Sequence, residues 1–357
     1  MVGTRLNIKT FSLEDLSAEL AAMGLKKYRS AQVFGWLYKR LAGSFDAMTD
    51  ISKEERALLA DCFSIPALEL LGVEVSADGT RKFLFRLEDG HTIESVLIPD
   101  DDRFTLCISS QVGCRQGCRF CLTARGGFVR DLASYEIVEQ VIEVSRILKN
   151  EGKRGITNIV FMGMGEPLAN LDEVIKALKV ITSGAGMAVS ARRVTLSTSG
   201  LVPKLGMLGE SGLRVNIAIS LNATTDEVRD QIMPVNRRWP LKELLAACRR
   251  YPIEPRRRIT FEYVLLKGVN DSDEDALRLV RLLRGIRCKV NLIPFNPFPE
   301  STFDRPDDER IRGFQKLLLA HHLTAPVRES RGRDISAACG QLKERMLTSL
   351  QVSRSPH

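Results

Sequence analysis

Strand-like and helix-like segments alternate along more than half of the chain, from about residue 105 to residue 294. Short apolar runs predict strands near Thr105–Ser110, Asn158–Met162, Arg193–Ser197, Val215–Leu221, Ile259–Leu265 and Lys289–Pro294. Amphipathic segments predict helices near Ser134–Asn150, Leu171–Ser183, Val202–Glu210, Thr225–Met233, Leu241–Arg250 and Ser272–Arg284. Because parallel strands need crossover connections, six such repeats predict an α/β fold with a parallel sheet, either doubly wound or barrel-like.

Two segments with different patterns precede this region. Residues 1–70 are expected to be helical, with Ser12 capping the first helix and Ser30 capping the second. The apolar period then falls to about two, which predicts a short antiparallel β extension. We therefore divide the chain into a helical accessory domain that is a candidate for RNA binding (1–70), a small antiparallel β segment (71–100), an α/β core (101–328) and a C-terminal tail that begins as a loop and ends as one helix (329–357).

Composition excludes several classes of protein. Of the 357 residues, 44% are hydrophobic and 27% are charged, which is typical of a globular enzyme and excludes disordered and collagen-like chains. No window approaches 18 apolar residues, and the N-terminus lacks the apolar segment of a signal peptide, so we expect a cytoplasmic protein. In that reducing compartment, the eight cysteines are expected to serve metal binding or catalysis more often than disulfides.

Much of the net charge of +8 is concentrated in one stretch. Residues 237–267 contain nine basic and three acidic side chains, a local net charge of +6. Such a surface suits a polyanion such as RNA, and it suits a solvent-exposed helix and loop equally well. If it binds RNA, the candidates for holding phosphates are Arg249, Arg250, Arg256, Arg257 and Arg258.

Three cysteines follow the first core strand at a C-x3-C-x2-C spacing: Cys114, Cys118 and Cys121. Glycines before and within this loop allow it to curl tightly. Three thiolates can hold a four-iron cluster and leave one iron open to another ligand. A fourth thiolate from Cys107 would instead complete a zinc site, but zinc sites usually pair two short knuckles. The spacing therefore favours iron–sulfur chemistry and leaves zinc as the alternative.

Small and polar residues stand where the later core strands end. Gly165 and Glu166 belong to the segment Gly163–Pro167 after the second strand, and the other candidates are Ser197, Ser220, Leu221, Asn222 and Asn296. Each alone is more often a turn or a cap than a ligand. Active sites of β/α barrels, however, are built at the carboxyl ends of the strands, which raises these residues as a set.

The cysteine spacing at the start of a β/α array resembles the signature of radical S-adenosylmethionine (SAM) enzymes. The resemblance implies a partial, six-repeat TIM-like barrel in which Cys114, Cys118 and Cys121 hold one [4Fe–4S] cluster, and SAM binds the fourth iron. The segment Gly163–Pro167 is similar to the superfamily's GGEP motif, which contacts the SAM amino group. The resemblance thus implies a SAM site that includes Gly165, Glu166, Ser197, Ser220, Leu221, Asn222 and Asn296.

Further segments resemble, in chain order, the RlmN/Cfr family of RNA methyltransferases. They surround Glu94 (Ile-Glu-Ser-Val-Leu-Ile-Pro), Cys107 and Cys339 (Ala-Ala-Cys-Gly-Gln), and the family often has histidine at the position of Asn222. The resemblance implies formation of 2-methyladenosine in 23S rRNA, at the peptidyl-transferase centre, and in tRNA, 3′ of the anticodon. It also implies two SAM molecules per turnover and an electron donor such as a flavodoxin-type protein.

The same resemblance assigns a role to each of three residues. One SAM methylates Cys339, and a second SAM is cleaved by one electron to a radical that activates that methyl group. Glu94 accepts the proton from adenine C2. Cys107 then attacks the sulfur of Cys339, which releases the product and leaves a transient Cys107–Cys339 disulfide. Two alternatives remain open: Cfr-type methylation of adenine C8, and a zinc-stabilised RNA-binding protein without catalysis.

Overall fold

The structure, a computed structural model, describes residues 5–101, 103–299 and 301–342. Its strands are β1 (Leu6–Asn7), β2 (Phe63–Ser64), β3 (Glu69–Val75), β4 (Arg81–Arg86), β5 (Thr92–Asp100), β6 (Arg103–Cys107), β7 (Gln111–Gly113), β8 (Phe128–Asp131), β9 (Asn158–Phe161), β10 (Val194–Thr198), β11 (Asn216–Ser220), β12 (Ile259–Leu265) and β13 (Cys288–Pro294). Its helices are α1 (Leu13–Ala22), α2 (Tyr28–Tyr38), α3 (Lys53–Cys62), α4 (Leu122–Arg125), α5 (Ser134–Asn150), α6 (Leu171–Thr182), α7 (Val202–Glu210), α8 (Asp226–Ile232), α9 (Leu241–Arg250), α10 (Asp273–Leu283) and α11 (Asp308–Ala320). The helix predicted at the end of the tail lies outside the described residues.

Six parallel strands form the centre of the main sheet, and their spatial order follows the chain: β6, β9, β10, β11, β12 and β13. Within the described residues, the first and last of these strands are not paired with each other, so the sheet is a partial barrel that is open on one side. This confirms the predicted α/β class and its six repeats. The predicted bounds of these strands and helices differ from the observed ones by at most three residues.

The antiparallel segment continues the same sheet. β5 pairs with β6, β4 with β5 and β3 with β4, all antiparallel, which extends the sheet to nine strands. The register places Val96 of β5 opposite Cys107 of β6. The strands after residue 68 therefore belong to the layer that forms the barrel, and they bring Glu94 close to its first strand.

Burial on both faces explains the nearly continuous apolar sequence of the central strands, because helices cover the outer face of a parallel sheet. The stripe of α6 shows how these helices pack, with Val174, Leu178 and Ile181 all fully buried. Each such aliphatic side chain contributes roughly 1.5–3 kcal/mol when it is fully buried. The covering helices thus fix the strands and, with them, the loops at the strand ends.

Helices α1, α2 and α3 lie in the N-terminal part of the chain, where the sequence predicts helices. Ser12 caps α1 by accepting from the backbone N–H of Asp15. The predicted cap at Ser30 is wrong: α2 already begins at Tyr28, and the Ser30 hydroxyl donates within the helix to the Lys27 carbonyl at 2.9 Å. This hydrogen bond occupies the hydroxyl inside the first turn.

Some elements have no counterpart in the sequence prediction: the short strands β7 and β8, the one-turn helix α4, and α11. The first three span only three or four residues each, which is too short for periodicity to be recognised. The buried residues of α11 are Ile311, Phe314 and Leu318. Their helical spacing could have predicted this helix from the sequence, but the helix was not predicted. None of the described helices is long and apolar enough to cross a membrane.

Candidate active site

A hairpin closes the loop that carries the three clustered cysteines. β7 and β8 pair, and the backbone N–H of Cys114 donates to the Gly127 carbonyl at 2.7 Å. Gly113 has φ of +75°, and a Cβ there would lie 2.1 Å from the Gly127 carbonyl oxygen. Only glycine allows this close approach. The two ends of the loop therefore lie side by side, just beyond the carboxyl end of β6.

The thiols on this loop are buried or half-buried and influence one another electrostatically. Burial raises the pKa of Cys118 well above its ordinary value, and Cys121 and Cys114 raise it further. Burial also raises the pKa of Cys114 to about 12, and it raises that of Cys121. Deprotonated thiols at this spacing need nearby positive charge, which a metal centre supplies.

This donor set fits an iron–sulfur cluster. The three cysteines are free thiols, and a cubane takes thiolate ligands. Among the described residues, no three His, Cys, Asp or Glu side chains are grouped around the position of a single metal ion. The fit therefore lies in three neighbouring free thiols on one tightly closed loop.

The segment Gly163–Pro167 packs against the residues that follow β6. A Cβ on Gly165, where φ is +104°, would lie 2.6 Å from the Gln111 side chain. The buried carboxylate of Glu166 accepts from the backbone N–H groups of Ser199 at 2.7 Å and Leu168 at 3.0 Å. Burial raises the pKa of Glu166, although these hydrogen bonds oppose the shift. The segment thus fixes a carboxylate beside the cysteine loop.

A buried arginine that the sequence analysis missed joins the ends of two core strands. The guanidinium of Arg229 donates to the carbonyl oxygens of Ser199 at 2.7 Å, Leu221 at 3.0 Å and Ser220 at 3.1 Å. Burial lowers the pKa of Arg229 to about 10, and the nearby Cys118 opposes that shift. Ser220 and Leu221 therefore lie at the site, held through their carbonyls. Ser197, inside β10, is half-buried two residues before Ser199.

The side chain of Asn222 forms hydrogen bonds within the fold. Its backbone is left-handed, with φ of +57°, and its Oδ1 accepts from the backbone N–H of Val264 at 2.8 Å. Its carbonyl accepts from the side chain of Asn270 at 2.7 Å. These contacts position the turn after β11, and a contact of Asn222 with SAM stays a prediction.

Asn296 lies between the last core strand and the loop of Cys339. Its Nδ2 donates to the Cys339 carbonyl at 3.4 Å, while its buried Oδ1 has no hydrogen-bond partner. A buried acceptor without a partner costs about 1–3 kcal/mol. The Oδ1 of Asn296 is thus available to a donor on a bound ligand.

The loop of Cys339 is attached at both ends. On one side, the carboxylate of Asp334 accepts from Ser76 Oγ at 2.6 Å and from the backbone N–H of Ala77 at 3.1 Å. On the other side, the Gly340 carbonyl accepts from the backbone N–H of Leu122 at 2.7 Å, directly after the third clustered cysteine. The loop therefore bridges the antiparallel strands and the cysteine loop.

Cys107 lies near enough to Cys339 for the two thiols to influence each other electrostatically. Burial raises the pKa of Cys107, and the neighbouring Cys339 raises it further. The pKa of Cys339 is raised by burial and by Glu262 of β12, and Arg328 opposes the shift. Cys339 is nevertheless exposed to solvent, whereas Cys107 is buried.

Glu94 lies on the sheet beside this pair of thiols. It is two residues from Val96, the partner of Cys107 in the β5–β6 register, so Glu94 and Cys107 share a face of the sheet. Its carboxylate is fully buried and forms an ion pair with Lys82 at 3.3 Å. The carbonyl of Glu94 accepts from Ser109 Oγ at 2.6 Å, which ties β5 to the residues that follow β6.

The arginines proposed to hold RNA lie elsewhere. Arg256, Arg257 and Arg258 directly precede β12, and Arg249 and Arg250 end α9, which leads into the same loop. All five are therefore at the amino end of β12, whereas the cysteines are at the carboxyl end of β6. Parallel strands place these two ends on opposite faces of the barrel. The structure does not bring these arginines to the thiols, and their role in holding RNA phosphates stays a prediction.

Other arginines do flank the cysteines. Arg115, Arg119 and Arg125 are exposed side chains on the same loop. The guanidinium of Arg115 stacks over the Phe128 ring at 3.9 Å, and that of Arg125 lies 5.8 Å from the Phe298 ring. These arginines alternate with the cysteines along the chain. The sequence alone does not show that their side chains are exposed.

Comparisons with known proteins match both parts of the chain. Residues 6–65 match the ribosomal RNA large subunit methyltransferase N-terminal domain, and residues 108–280 match the radical SAM superfamily. The chain is 55% identical over 342 residues to the dual-specificity RNA methyltransferase RlmN of Geotalea uraniireducens, covering 96% of this chain and 98% of that one. It is also 55% identical over 353 residues to the protein of the same name from Syntrophotalea carbinolica, covering 99% and 93% respectively.

A solved structure is similar over nearly the same length. It is a radical SAM methyltransferase from Sphaerobacter thermophilus, with a TM-score of 0.90 and 47% sequence identity. The match covers 95% of this chain and 99% of that chain. The likeness therefore extends beyond the barrel to the helical domain and the antiparallel strands.

Proposed function

Since the chain belongs to the RlmN family of radical SAM RNA methyltransferases, we propose that it forms 2-methyladenosine in 23S rRNA and tRNA with Cys339 as methyl carrier. The targets would be an adenosine of the peptidyl-transferase centre and the adenosine 3′ of the anticodon. The observation that carries this proposal is the position of the Cys339 loop, whose Gly340 carbonyl accepts from the backbone N–H of Leu122 at 2.7 Å, directly after Cys121. Cys339 is exposed to solvent and Cys107 is buried.

The family implies a [4Fe–4S] cluster and SAM, and the donor set fits both. Cys114, Cys118 and Cys121 would hold the cluster, and the buried carboxylate of Glu166 would accept from the SAM ammonium group. When bound, the two cofactors supply a methyl group and one-electron cleavage of a carbon–sulfur bond. Adenine C2 needs such chemistry because it is electron-poor and carries no acidic hydrogen.

The remaining SAM contacts would come from residues at the strand ends. Gly165, Ser197, Ser220 and Leu221 lie there, and the free Oδ1 of Asn296 offers an acceptor. The side chain of Asn222 accepts from the backbone N–H of Val264, so we propose that it positions the turn after β11. Arg229 holds the carbonyls of Ser199, Ser220 and Leu221 in place.

The two thiols have distinct tasks. Cys339 accepts a methyl group on its sulfur and later carries the adenine through that carbon. The Cys107 thiolate then attacks this sulfur, so that an S–S bond forms while the C–S bond breaks. The electron pair of the broken bond goes to the exocyclic carbon, which takes up a proton and becomes the methyl group. An external reductant must return the disulfide to two thiols, and we propose a flavodoxin-type protein as the electron source for the enzyme.

Glu94 is the proposed proton acceptor. The adduct formed at C2 is a radical, so restoring the aromatic ring requires loss of the C2 proton and of one electron, which the cluster would take back. A base for this step must be ionised and close to the base plane. Glu94 satisfies the first condition through its ion pair with Lys82, and it lies on the same sheet face as Cys107.

The test compares Cys339→Ala with the wild-type enzyme after anaerobic reconstitution. The variant is expected to retain iron and sulfide and to cleave SAM to 5′-deoxyadenosine with dithionite and RNA, yet to give no methylated nucleoside. Mass spectrometry of digested rRNA and tRNA reads the product. Wild-type turnover by Cys339→Ala, or 8-methyladenosine in place of 2-methyladenosine, would contradict the proposal.

A further inference from the structure

A buried lysine bridges two carboxylates beside the candidate active site. The ammonium of Lys82 lies 2.9 Å from Glu74 and 3.3 Å from Glu94, and its side chain is 1% exposed. Glu94 is fully buried, whereas the side chain of Glu74 is 31% exposed. The three groups thus lead from the interior of the protein to its surface.

The register of the sheet shows how this chain of groups reaches the thiols. Glu74 of β3 is directly opposite Lys82 of β4, and Lys82 is opposite Val96 of β5. Val96 in turn is opposite Cys107 of β6. Residues opposite each other point to the same face, so the row runs across four strands on one face. Glu94 stands two residues from Val96 along β5, next to this row.

The two carboxylates on the Lys82 ammonium differ in their access to water. A buried ion is costly unless it is paired, and Lys82 is paired on both sides. The Glu94 carboxylate is fully buried, whereas water reaches that of Glu74. Such an arrangement is suited to accepting a proton at Glu94 and releasing it at Glu74.

We propose that Lys82 and Glu74 form a proton exit that returns Glu94 to its ionised state in each turnover. The inference rests on the proposed role of Glu94. The C2–H bond breaks and an O–H bond forms on Glu94. Lys82 then takes this proton while giving one of its own to the carboxylate of Glu74, which releases it to water. No electrons are transferred, and the triad ends with the charge it had at the start.

The experiment follows Lys82→Met through each stage of the reaction with RNA. We expect normal methylation of Cys339 and normal formation of 5′-deoxyadenosine. Release of 2-methyladenosine should fall by about 10²-fold, the low end of general acid–base contributions, with RNA accumulating as a covalent adduct on Cys339. Lys82→Arg should recover part of the rate, because it keeps a charged donor between the two carboxylates.

Glu74→Gln tests the exit itself. The Lys82–Glu94 pair survives in this variant, so the covalent adduct should form normally and be released more slowly, with a larger solvent deuterium effect than in the wild type. Arg86→Met is the matched control, because it removes the exposed Arg86–Glu69 ion pair between the same two strands. This control should release product at the wild-type rate.

Two results would overturn the inference. One is wild-type release of product by both Lys82→Met and Glu74→Gln. The other is a loss of Cys339 methylation and 5′-deoxyadenosine in step with product, since that pattern means Lys82 only supports the fold. Glu94→Gln is measured in parallel: normal turnover by that variant would refute the proposed function of Glu94 itself, whatever the Lys82 variants do.

Discussion

Replacing Arg229 by methionine should destabilise the protein and loosen the strand ends to which we assign SAM binding. The guanidinium is fully buried and donates to three backbone carbonyls and to Asn236 Oδ1. Methionine fills a similar volume but donates nothing, so the three carbonyls lose their side-chain donor. At about 1 kcal/mol or more for each, the free energy of unfolding should fall by about 3 kcal/mol. Any larger fall in the free energy of unfolding is partly offset, because the variant no longer keeps a charged guanidinium away from water.

The loss is measured by urea denaturation of the full chain under anaerobic conditions. Arg281→Met is the control, because Arg281 is exposed on α10, and its effect should stay within about 0.5 kcal/mol. Arg229→Met should also raise the KM for SAM, since the carbonyls of Ser199, Ser220 and Leu221 lose their anchor. A destabilisation below about 1 kcal/mol with an unchanged KM would refute this account of Arg229.

Three further predictions test the loop, the RNA surface and the tail. Gly113→Ala should abolish iron binding, because its Cβ would lie 2.1 Å from the Gly127 carbonyl oxygen; iron analysis checks this against Gly35→Ala, where nothing lies within 4 Å. Neutralising Arg115, Arg119 and Arg125 should reduce the slope of log affinity against log salt by about 2–3, whereas neutralising Arg256, Arg257 and Arg258 should leave it unchanged; equal slopes for both triple variants would contradict the assignment. Burial pushes the pKa of Asp78 upward, but hydrogen bonds from Thr80, Gly332 and Ser76 outweigh it and lower the pKa to about 2. The stability that Asp78 contributes is therefore complete above about pH 4 and lost as the pH falls through 2, so Asp78→Asn should flatten the acid limb of a denaturation series.

Local patterns sufficed for much of the fold and for the cysteine loop. The six core strands and their helices follow from periodicity, because each segment is long enough for its apolar face to be recognised. The loop of Cys114, Cys118 and Cys121 could be recognised from their spacing, because the three cysteines are close in the chain. These features depend on residues a few positions apart, which a single sequence displays directly.

Features that depend on distant residues were missed or misplaced. The sequence analysis singled out neither Arg229 nor Lys82, since nothing near them in the chain shows that each contacts residues of two other strands or strand ends. The position of the basic stretch relative to the cysteines could not be predicted, because net charge does not tell which end of β12 the stretch lies on. Asn222 shares the position of its neighbours at the strand ends, but only the structure shows its side chain bound to Val264.

The attachments of the Cys339 loop restrict how far its sulfur can travel. One anchor, the Gly340 carbonyl, is the very next residue, and the Cys339 carbonyl itself is held by Asn296. With so short a tether, rotation of the side chain moves the sulfur by only a few ångströms, whereas each additional free residue would add about 3.5 Å of reach. The backbone at Cys339 is thus held in place, and only its side chain is free to rotate. If Cys339 carries the methyl group as proposed, the methyl donor and the adenine must occupy the space in front of its sulfur one after the other. The proximity that this arrangement gives depends on the hydrogen bonds at Cys339 and Gly340.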